Sequence, residues 1–524
     1  MTPEKPHFVA ERNVILLPDK EEFRCLHPAK LPLVHINGYA MRAVKNGPGI
    51  NHLLYNKGFV FPSPILHDVS YDWAGARDII FQSQRETAAL LASRSRVYVL
   101  NDLGTGKTFA TLLAIDWLML KGYIRKALVV APLSTLESVW GQEIRLRMPR
   151  LRSVILHGTK RQRLELLRSD AWNVAIINHD GVKVILDELL KIKFECVVLD
   201  EAAVYRDHRT DRWKKTRALV EHAPMLWGLT GSPTPNGPED AYGQVRLITP
   251  SRMPISFKRW RSTVCIELNG LWFPKDDAKQ KVHAAMQPAV RFTRAQVVEL
   301  PKHHVIERST TLSADQTRFF RIMRDKCIIM AQEGKVTAVN AAVLMGKLLQ
   351  ISAGAVYTEH KATIDLKADD RMNTAKELID GSEGKVILFA PFRHIVELIM
   401  RKFKPVYGDR IAEVHGGIPL SQRTPIFTTF QERRSNLRIV VAHPGCMAHG
   451  ITLTEANTII WYAPYTSTEK TSQANARITR PGQEREQYYY HLYATNVEKR
   501  VYRVVERNGN LQAEILKMFE QKLI

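Results

Sequence analysis

The sequence is poor in cysteine, and its few cysteines lie far apart. They occupy positions 25, 196, 265, 327 and 446, with no CxxC pair and no Cys/His cluster at zinc spacing. This pattern indicates neither a disulfide framework nor a structural zinc site. Hydrophobic residues make up 45% of the 524 residues, so we expect a globular protein. A chain of this length suits about two to four domains.

Long hydrophobic runs are also missing. One predicted apolar helix, FATLLAIDWLML, is interrupted by Asp116 and is too short to cross a bilayer. The first residues, MTPEKPHFVAERNV, carry charges where a signal peptide needs an apolar core. We therefore expect a soluble, cytoplasmic protein with no membrane partner.

Acidic residues are scarce relative to basic ones. Lys and Arg number 75 against 53 Asp and Glu, which gives a formal net charge of +22 at pH 7. Such an excess of positive charge suggests a polyanionic partner, with nucleic acid as the first expectation. Charge alone is equally compatible with a solvated basic surface.

The stretch RVYVLNDLGTGKTFATLLAIDWLML is typical of a strand, a glycine-bearing loop and a helix. Backbone amides of such a loop cradle phosphates, its lysine reaches the outer phosphates, and its threonine hydroxyl binds Mg²⁺. The strict pattern has glycine where this chain has Asn101, and an ordinary strand–turn–helix is the alternative. The candidate residues for binding ATP here are Gly104, Thr105, Gly106, Lys107 and Thr108.

A glutamine ahead of this loop is a candidate for recognising adenine. Gln84 lies at the head of a predicted helix. Because an amide both donates and accepts hydrogen bonds, it can read the adenine edge and select ATP. Gln82 is the competing candidate, and a solvated helix glutamine is the plainer alternative.

Polar residues follow several apolar strands, and this pattern predicts one rim of a parallel sheet. FECVVL ends in Asp200 and Glu201. Asp200 could hold Mg²⁺ through water, and Glu201 could polarise the attacking water. An Asp-Glu pair is common on surfaces but much less so at the end of a fully apolar strand. After two other strands come tentative nucleic-acid contacts: Ser134, Thr135, Lys160 and Arg161.

The pattern breaks between about residues 250 and 305. The segment FKRWR interleaves basic and aromatic side chains, which can contact phosphates and stack on bases. An exposed helix with one anchoring tryptophan explains it equally well. The candidate nucleic-acid contacts of this segment are Lys258, Arg259, Trp260 and Arg261.

A second α/β series begins at KVILFA and contains no second phosphate loop, so we do not expect it to bind ATP alone. Near its end, TSTEKTSQANARITRPGQ predicts a helix with a capping box at Thr466 and Glu469 and a Pro-Gly stop. Gln473, Arg477 and Arg480 are spaced to share one face of that helix. Two arginines there could stabilise charge on the γ-phosphate, whereas a salt-bridged surface helix is the alternative.

Together, these motifs resemble those of helicase superfamily two and, within it, of the Swi/Snf ATPases. The chain shows NDLGTGKT, VVAPLSTLESVW, VLDEAA, LTGSPTPN and QANARITRPGQ in the family's order, over roughly residues 77 to 505. The resemblance implies an α/β fold of two tandem RecA-like parallel-sheet lobes, with a small N-terminal region and helical inserts. It also implies that ATP and Mg²⁺ are used and that the lobes close on ATP and step along duplex DNA.

The resemblance also assigns roles to single residues. Gln84 would contact adenine, Asp200 would hold magnesium, and Glu201 would be the catalytic acid residue. Arg477 and Arg480 would reach the nucleotide from the second lobe, where Gly450 belongs to a glycine-bearing motif. The chain departs from the family at Ala203 (usually histidine), Ser232 (usually threonine) and Thr452 (usually asparagine). Because the position of Ala203 often couples hydrolysis to nucleic acid, we expect that coupling to differ here.

The organisation expected from these motifs has four parts: an accessory region (1–70), an ATP-binding lobe (71–250), a linker or insert (251–304) and a second lobe with a helical insert (305–524). The leading hypothesis is a DNA-dependent ATPase that translocates on double-stranded DNA. Alternatives are a strand-separating or branch-migrating helicase, the motor subunit of a restriction, defence or repair complex, and a non-hydrolysing DNA-binding protein. A protein partner would bind through residues 1–70. The compact chain resembles bacterial or phage members of the Swi/Snf family.

Overall fold

The computed structural model describes residues 5–24, 33–36, 38–73, 80–169, 171–268, 271–297, 301–332, 338–357, 363–447, 451–480, 482–507 and 518. The chain divides into two units, Met1–Val297 and Val298–Ile524. None of the helices in these described ranges is both long and apolar enough to cross a bilayer.

The N-terminal part of the first unit is an antiparallel sheet. Its strands are β1 (His7–Val9), β2 (Val14–Pro18), β3 (Leu33–Ile36) and β4 (Tyr39–Lys45), and its helices are α1 (Glu21–Arg24) and α2 (Pro48–Asn56). The strands pair in the order β1-β2-β4-β3. A small separate core under this sheet contains Ile15, Leu17, Phe23, Val44 and Leu54.

Buried asparagines join this small sheet to the chain that follows it. Asn46 Nδ2 donates to Asn13 Oδ1 at 2.8 Å and to the Pro62 carbonyl at 3.2 Å. Asn13 Nδ2 donates to the Pro64 carbonyl at 3.0 Å, and Asn51 on α2 donates to Asn46 Oδ1. Because buried amides need hydrogen-bond partners, this network fixes the path of the chain as it leaves the small sheet.

A parallel sheet forms the centre of the first unit. Its strands are β5 (Arg96–Val99), β6 (Ala127–Ala131), β7 (Ser153–Leu156), β8 (Val174–Asn178), β9 (Cys196–Asp200) and β10 (Met225–Leu229). An antiparallel hairpin, β11 (Cys265–Leu268) and β12 (Leu271–Pro274), precedes the short strand β13 (Ala289–Val290). The order β13-β5-β10-β9-β6-β8-β7 confirms the predicted parallel sheet.

Helices cover both faces of this sheet. They are α3 (Gln82–Ser93), α4 (Lys107–Leu120), α5 (Gln142–Arg147), α6 (Lys160–Arg168), α7 (Gly181–Val184), α8 (Leu186–Lys191), α9 (Asp211–Val220), α10 (Ala241–Ile248), α11 (Phe257–Val264), α12 (Ala278–Ala285) and α13 (Arg294–Val297). Along β5, Val97 and Val99 pack into one apolar core and Tyr98 into the other. Because both faces are largely buried, the strands are mostly apolar, and polar residues such as Asn178 and Asp200 occur where they end.

The second unit is built around another parallel sheet. Its strands are β14 (His303–Ser309), β17 (Lys385–Phe389), β18 (Ile411–Val414), β19 (Ile439–Ala442), β20 (Ala456–Trp461) and β21 (Gln487–Tyr493), and β15 (Ala355–Tyr357) and β16 (Thr363–Asp365) form a hairpin. The sheet order is β14-β21-β20-β17-β19-β18. Its helices are α14 (Ala314–Gln332), α15 (Ala338–Ala353), α16 (Asp369–Asp380), α17 (Arg393–Tyr407), α18 (Leu420–Gln431), α19 (Thr468–Asn475) and α20 (Asn496–Glu506).

A buried ion pair joins two helices of this unit. The Arg371 guanidinium on α16 donates to both carboxylate oxygens of Glu498 on α20, at 2.7 and 2.8 Å, and to the Tyr462 carbonyl at 2.8 Å. Both side chains are fully buried. Glu498 also accepts from the backbone amides of Ala494 and Thr495. The pair therefore fixes α16, α20 and the end of β20 in one arrangement.

We expect Arg371→Ala to lower the free energy of unfolding by about 3–5 kcal/mol, because the Glu498 carboxylate would stay buried without its cation. Chemical denaturation measures this loss. The control is Lys376→Ala, which removes an exposed partner of Asp380 on the same helix and should cost less than about 1 kcal/mol. Equal losses in the two variants would contradict a structural role for the buried pair.

Candidate active site

The glycine-bearing loop lies between β5 and α4, as the sequence predicts. Gly104 and Gly106 have φ angles of 84° and 78°, a left-handed conformation that favours glycine. Helix α4 begins at Lys107 directly after Gly106. The Lys107 ammonium donates to the carbonyls of Asn101 and Asp102 at 2.8 and 3.1 Å, so the lysine is held inside its own loop.

Asn101, which stands where the strict phosphate-loop pattern has glycine, is a buried connection. Its Nδ2 donates to Thr87 Oγ1 on α3 at 3.0 Å, and its Oδ1 accepts from the Phe292 amide at 2.9 Å. The side chain is 2% exposed. Asn101 therefore joins the loop to two segments that are distant in sequence.

The segment after β13 lies along the same loop. The Asp102 amide donates to the Phe292 carbonyl at 2.9 Å, and Asp102 Oδ2 accepts from the Arg294 amide at 3.1 Å. Arg294 Nε donates to the Leu103 carbonyl at 3.1 Å. Sequence reasoning assigned these residues to the 251–304 linker and missed this role, because a strand of two residues has no recognisable apolar pattern.

Gln84 lies beside the loop, whereas its competitor Gln82 does not. Gln84 is buried, and a Cβ atom added to Gly106 would overlap its side-chain amide. Its Oε1 accepts from the Phe81 amide at 3.0 Å, which caps α3. Gln82 is exposed and donates to Glu86. Of the two candidates, only Gln84 is in contact with the phosphate loop.

Both carboxylates lie at the end of β9, and hydrogen bonds hold Asp200 on both sides. Oδ1 accepts from the Glu201 amide at 3.0 Å, and Oδ2 accepts from the Trp140 indole N–H at 2.9 Å. Burial raises the pKa of Asp200, and the hydrogen bond from Trp140 and the positive charge of Lys107 oppose that rise. Glu201 has φ 50° and ψ 52°, a left-handed conformation that costs energy for a residue other than glycine.

The loop after β10 lies against the phosphate loop. A Cβ atom on Gly231 would lie 3.3 Å from Leu103 Cγ and 3.5 Å from the Asn101 carbonyl oxygen. The hydroxyl of Thr230 is buried and accepts from the Ser232 amide at 3.2 Å. The polar ends of β5, β9 and β10 thus lie together at one edge of the sheet.

In the second unit, the predicted arginine helix is shorter than expected. Helix α19 ends at Asn475, so Arg477 and Arg480 lie in the turns after it rather than on one helical face with Gln473. The predicted cap, Thr466, is also wrong. The next residue, Ser467, is the N-cap and accepts from the Lys470 amide. Small polar residues at several successive positions compete for a capping role, and the sequence alone does not decide between them.

The two arginines differ in burial. Arg477 is 1% exposed, and its guanidinium donates to the carbonyls of Gln473 and Ile451 at 2.9 and 3.1 Å. Arg480 is partly exposed and donates to Thr452 Oγ1 at 2.7 Å. Thr452, a departure from the family, is therefore a direct partner of Arg480.

Gln473 and Gly450 are the other predicted nucleotide contacts of the second unit. Gln473 is buried, and its side-chain amide donates to Glu469 at 3.2 Å. The predicted glycine of the second lobe, Gly450, lies outside the described residues.

The predicted nucleic-acid contacts of the first unit differ in exposure. At the start of α6, Lys160 is exposed, and Arg161 is exposed and paired with Glu165. Ser134 is partly exposed, whereas Thr135 is buried with its hydroxyl on the Pro132 carbonyl at 2.9 Å.

Helix α11 has an outer and an inner face. Lys258 and Arg259 are exposed, but Trp260 is 4% exposed and its indole N–H donates to the Pro238 carbonyl at 3.3 Å. Arg261 pairs with Glu239 and lies over the ring of Trp272. The placement of Trp260 contradicts a base-stacking role and matches the alternative, an exposed helix anchored by a tryptophan.

No group of three or more His, Cys, Asp or Glu side chains suited to a metal occurs within the described ranges. A Mg²⁺ ion bound with a nucleotide needs fewer protein ligands than a dedicated metal site, because phosphates and water complete its coordination.

Two family profiles match the chain. The SNF2-related domain matches residues 84–353, more than half of the sequence, and the helicase conserved C-terminal domain matches residues 370–482. The chain belongs to the SNF2-related family. It is an ATP-hydrolysing enzyme of helicase superfamily two, and its two parallel sheets are the predicted pair of RecA-like lobes.

This SNF2-related chain is 25% identical over 449 residues to a protein of Acyrthosiphon pisum secondary endosymbiont phage 1, covering 80% of this chain and 93% of that one. It is 23% identical over 467 residues to the ATP-dependent DNA helicase DDM1 of Arabidopsis thaliana, covering 82% of this chain but 60% of the plant protein. The SWI2/SNF2 ATPase core of Sulfolobus solfataricus, solved in complex with dsDNA, matches 86% of this chain at 18% identity, with a TM-score of 0.42.

We expect Asn101→Gly, which restores the strict phosphate-loop pattern, to impair this protein. Two buried hydrogen bonds would be lost, at a cost of about 2–4 kcal/mol in the free energy of unfolding. Thermal and chemical denaturation test this. Gly49→Ala, at an exposed position of α2 with nothing within 4 Å of an added Cβ, is the control for a small local change. An Asn101→Gly variant as stable as the wild type would contradict the connecting role.

Proposed function

We propose that this chain is a DNA-dependent ATPase that couples ATP hydrolysis to translocation on double-stranded DNA. The observation that carries the proposal is the meeting of three motifs at one edge of the first sheet. Val99 on β5, Leu229 on β10 and Asp200 on β9 are paired in register across adjacent strands. The phosphate loop, the loop after β10 and the carboxylate pair therefore begin side by side.

The chemistry of this edge suits ATP. The left-handed glycines turn the loop, and the N-terminus of the fourteen-residue helix α4 adds positive potential for phosphate. A side chain at position 106 would overlap Gln84, so the close approach requires glycine. We assign Gln84 to the adenine, and Gly104, Thr105 and Gly106 to the phosphates.

Charged and hydroxyl side chains are assigned to the outer phosphates, to Mg²⁺ and to the attacking water. Lys107 would exchange its loop carbonyls for the outer phosphates when ATP binds. Thr108 and Asp200 would hold Mg²⁺, which supplies positive charge beside the phosphate oxygens. Glu201, at the end of the same strand as Asp200, would orient and polarise the attacking water.

We expect Lys107→Ala to abolish ATP turnover and Glu201→Gln to reduce it about 10²–10⁴-fold while ATP still binds. The reason is that the first change removes a phosphate ligand and the second removes a proton acceptor. Phosphate release and binding of a fluorescent ATP analogue separate the two effects. Glu188→Gln, which alters a surface carboxylate paired with Lys191 on α8, is the matched control. Wild-type turnover in either site variant would contradict the assignment.

The arginines of the second unit are proposed to have different roles. Arg480, partly exposed, would supply positive charge to the transferred phosphoryl group. Arg477, buried on backbone carbonyls, would hold the turn that carries Arg480. Gln473 and Gly450 keep their proposed place at the nucleotide by resemblance to the family alone.

We expect Arg480→Ala to lower turnover by about 10³-fold or more with little change in ATP affinity, because its charge would act mainly in the transition state. Arg477→Ala should instead lower the midpoint of thermal unfolding, since a buried hydrogen-bonding group is lost. Turnover, analogue binding and thermal unfolding of both variants test the division. A destabilised Arg480→Ala with normal turnover would contradict it.

Exposed basic residues of the first unit are the proposed contacts with the DNA backbone. Lys160, Arg161, Lys258 and Arg259 are exposed, and the chain as a whole carries a net charge of +22. Phosphate contacts release counterions, so DNA affinity should fall steeply with salt. Residues 1–70 remain the proposed place for a protein partner.

The deciding experiment measures the ATPase rate with no nucleic acid, duplex DNA, single-stranded DNA and RNA, with Lys107→Ala as the control. We expect the strongest stimulation with duplex DNA, together with displacement of a triplex-forming strand, because a motor that tracks duplex DNA strips such strands. Stimulation mainly by single strands or RNA would favour a conventional strand-separating helicase. Hydrolysis under none of these conditions would contradict the proposed ATPase motor.

A further inference from the structure

Trp140 is buried in the first unit, close to the carboxylates. It lies on the π-helical turn Leu136–Gly141, which follows β6 and the short 3₁₀ turn Leu133–Thr135. Its side chain is 0% exposed, and its indole N–H donates to Asp200 Oδ2 at 2.9 Å. Strand β6 pairs directly with β9, Val130 opposite Leu199, and so brings this turn beside the end of β9.

An indole suits the task of orienting a carboxylate that must bind a cation. It donates one hydrogen bond, accepts none and carries no charge. It therefore orients the Asp200 carboxylate and leaves its negative charge intact. An arginine or lysine in the same place would neutralise that charge. The Glu201 amide holds the other oxygen at 3.0 Å, so the rotation of the carboxylate is restrained from both sides.

The segment that carries Trp140 also has an outer surface. Leu133, Glu137 and Ser138 are exposed and Ser134 is partly exposed, whereas Trp140 is buried. Residues 133–141, which we call the tryptophan segment, thus extend from the surface to the carboxylate. Ala203, in the position that often couples hydrolysis to nucleic acid, is buried and has only a methyl group. Its side chain therefore has no hydrogen-bonding group with which to couple hydrolysis to nucleic acid.

We propose that Trp140 is a positioning residue for Asp200 and links the tryptophan segment to the magnesium end of the ATPase site. The inference rests on the proposed function, since it takes Asp200 as the magnesium residue. It adds the outer surface of the segment, which carries the predicted contact Ser134, as a place where DNA binds. It assigns to the indole hydrogen bond a coupling role that the methyl group of Ala203 lacks.

The test uses the full chain and compares Trp140→Phe with Trp172→Phe. Trp172 is a buried tryptophan of the same unit whose indole N–H donates to the Leu167 carbonyl at 3.3 Å, so it controls for the loss of a buried indole. The first readout is equilibrium binding of a fluorescent ATP analogue at increasing Mg²⁺. The second is the ATPase rate with and without duplex DNA, at saturating Mg²⁺.

For Trp140→Phe we expect the Mg²⁺ concentration that half-saturates the tightening of analogue binding to rise roughly 10-fold, with binding in the absence of Mg²⁺ unchanged. Stimulation by duplex DNA should fall while DNA affinity is retained. Trp172→Phe should behave as the wild type in both readouts. Equal Mg²⁺ dependence in the two variants, or equal stimulation by DNA, would overturn the proposal.

If Trp140→Phe unfolds, site-specific β-(3-benzothienyl)alanine replaces it, since this side chain keeps the shape of the ring but has sulfur in place of the N–H. The same two readouts then apply, with the same expected and contradicting results. A wild type without ATPase activity would contradict the proposed function alone. The Mg²⁺ dependence of analogue binding would still decide the role of Trp140.

Discussion

Parallel pairing of β5, β10 and β9 is the constraint on which the rest of the site depends. Parallel strands run in one direction, so the segments that follow them begin at the same edge of the sheet. Here Val99, Leu229 and Asp200 share a row, and the loops after them carry the phosphate-binding, polar and acidic groups. The apolar strands that make the core of the unit thereby also bring its charged groups together.

Hydrogen bonds from distant parts of the chain then hold this edge in place. Asn101 joins the phosphate loop to α3 and to Phe292, Arg294 bonds to the Leu103 carbonyl, and Trp140 bonds to Asp200. The groups in these bonds are side-chain amides, a hydroxyl, backbone groups, a guanidinium, an indole and a carboxylate, and none of the bonds joins two opposite charges. Lys107 is held by the carbonyls of Asn101 and Asp102, and Asp200 is held by the Trp140 indole and the Glu201 amide, so neutral hydrogen-bonding groups orient both charges.

In the described part of the second unit, two arginine side chains are buried, and both make structural hydrogen bonds. Its Arg371–Glu498 pair is fully buried, and backbone groups of Tyr462, Ala494 and Thr495 add further hydrogen bonds, so the pair holds the helices in their arrangement. Arg477 is also buried, and its guanidinium donates to backbone carbonyls. Arg480, three residues later, is partly exposed and donates to the Thr452 hydroxyl. A motif with two similar arginines therefore divides into one that shapes the turn and one that can act beyond it.

By itself the sequence determined the two parallel sheets, the phosphate loop and the position of the Asp-Glu pair. These depend on local patterns: apolar runs, glycines at sharp turns and polar residues where strands end. Only the tertiary structure decided that Gln84, not Gln82, touches the loop, that Trp260 is an anchor, and that Asn101 and Trp140 support the site. Each of these depends on contacts between residues far apart in the chain, and local periodicity contains no information about such contacts. The tertiary structure also decided that α19 ends before Arg477. The Arg477 side chain donates to the carbonyl of Ile451, which is distant in sequence, and helix propensity does not predict such a contact.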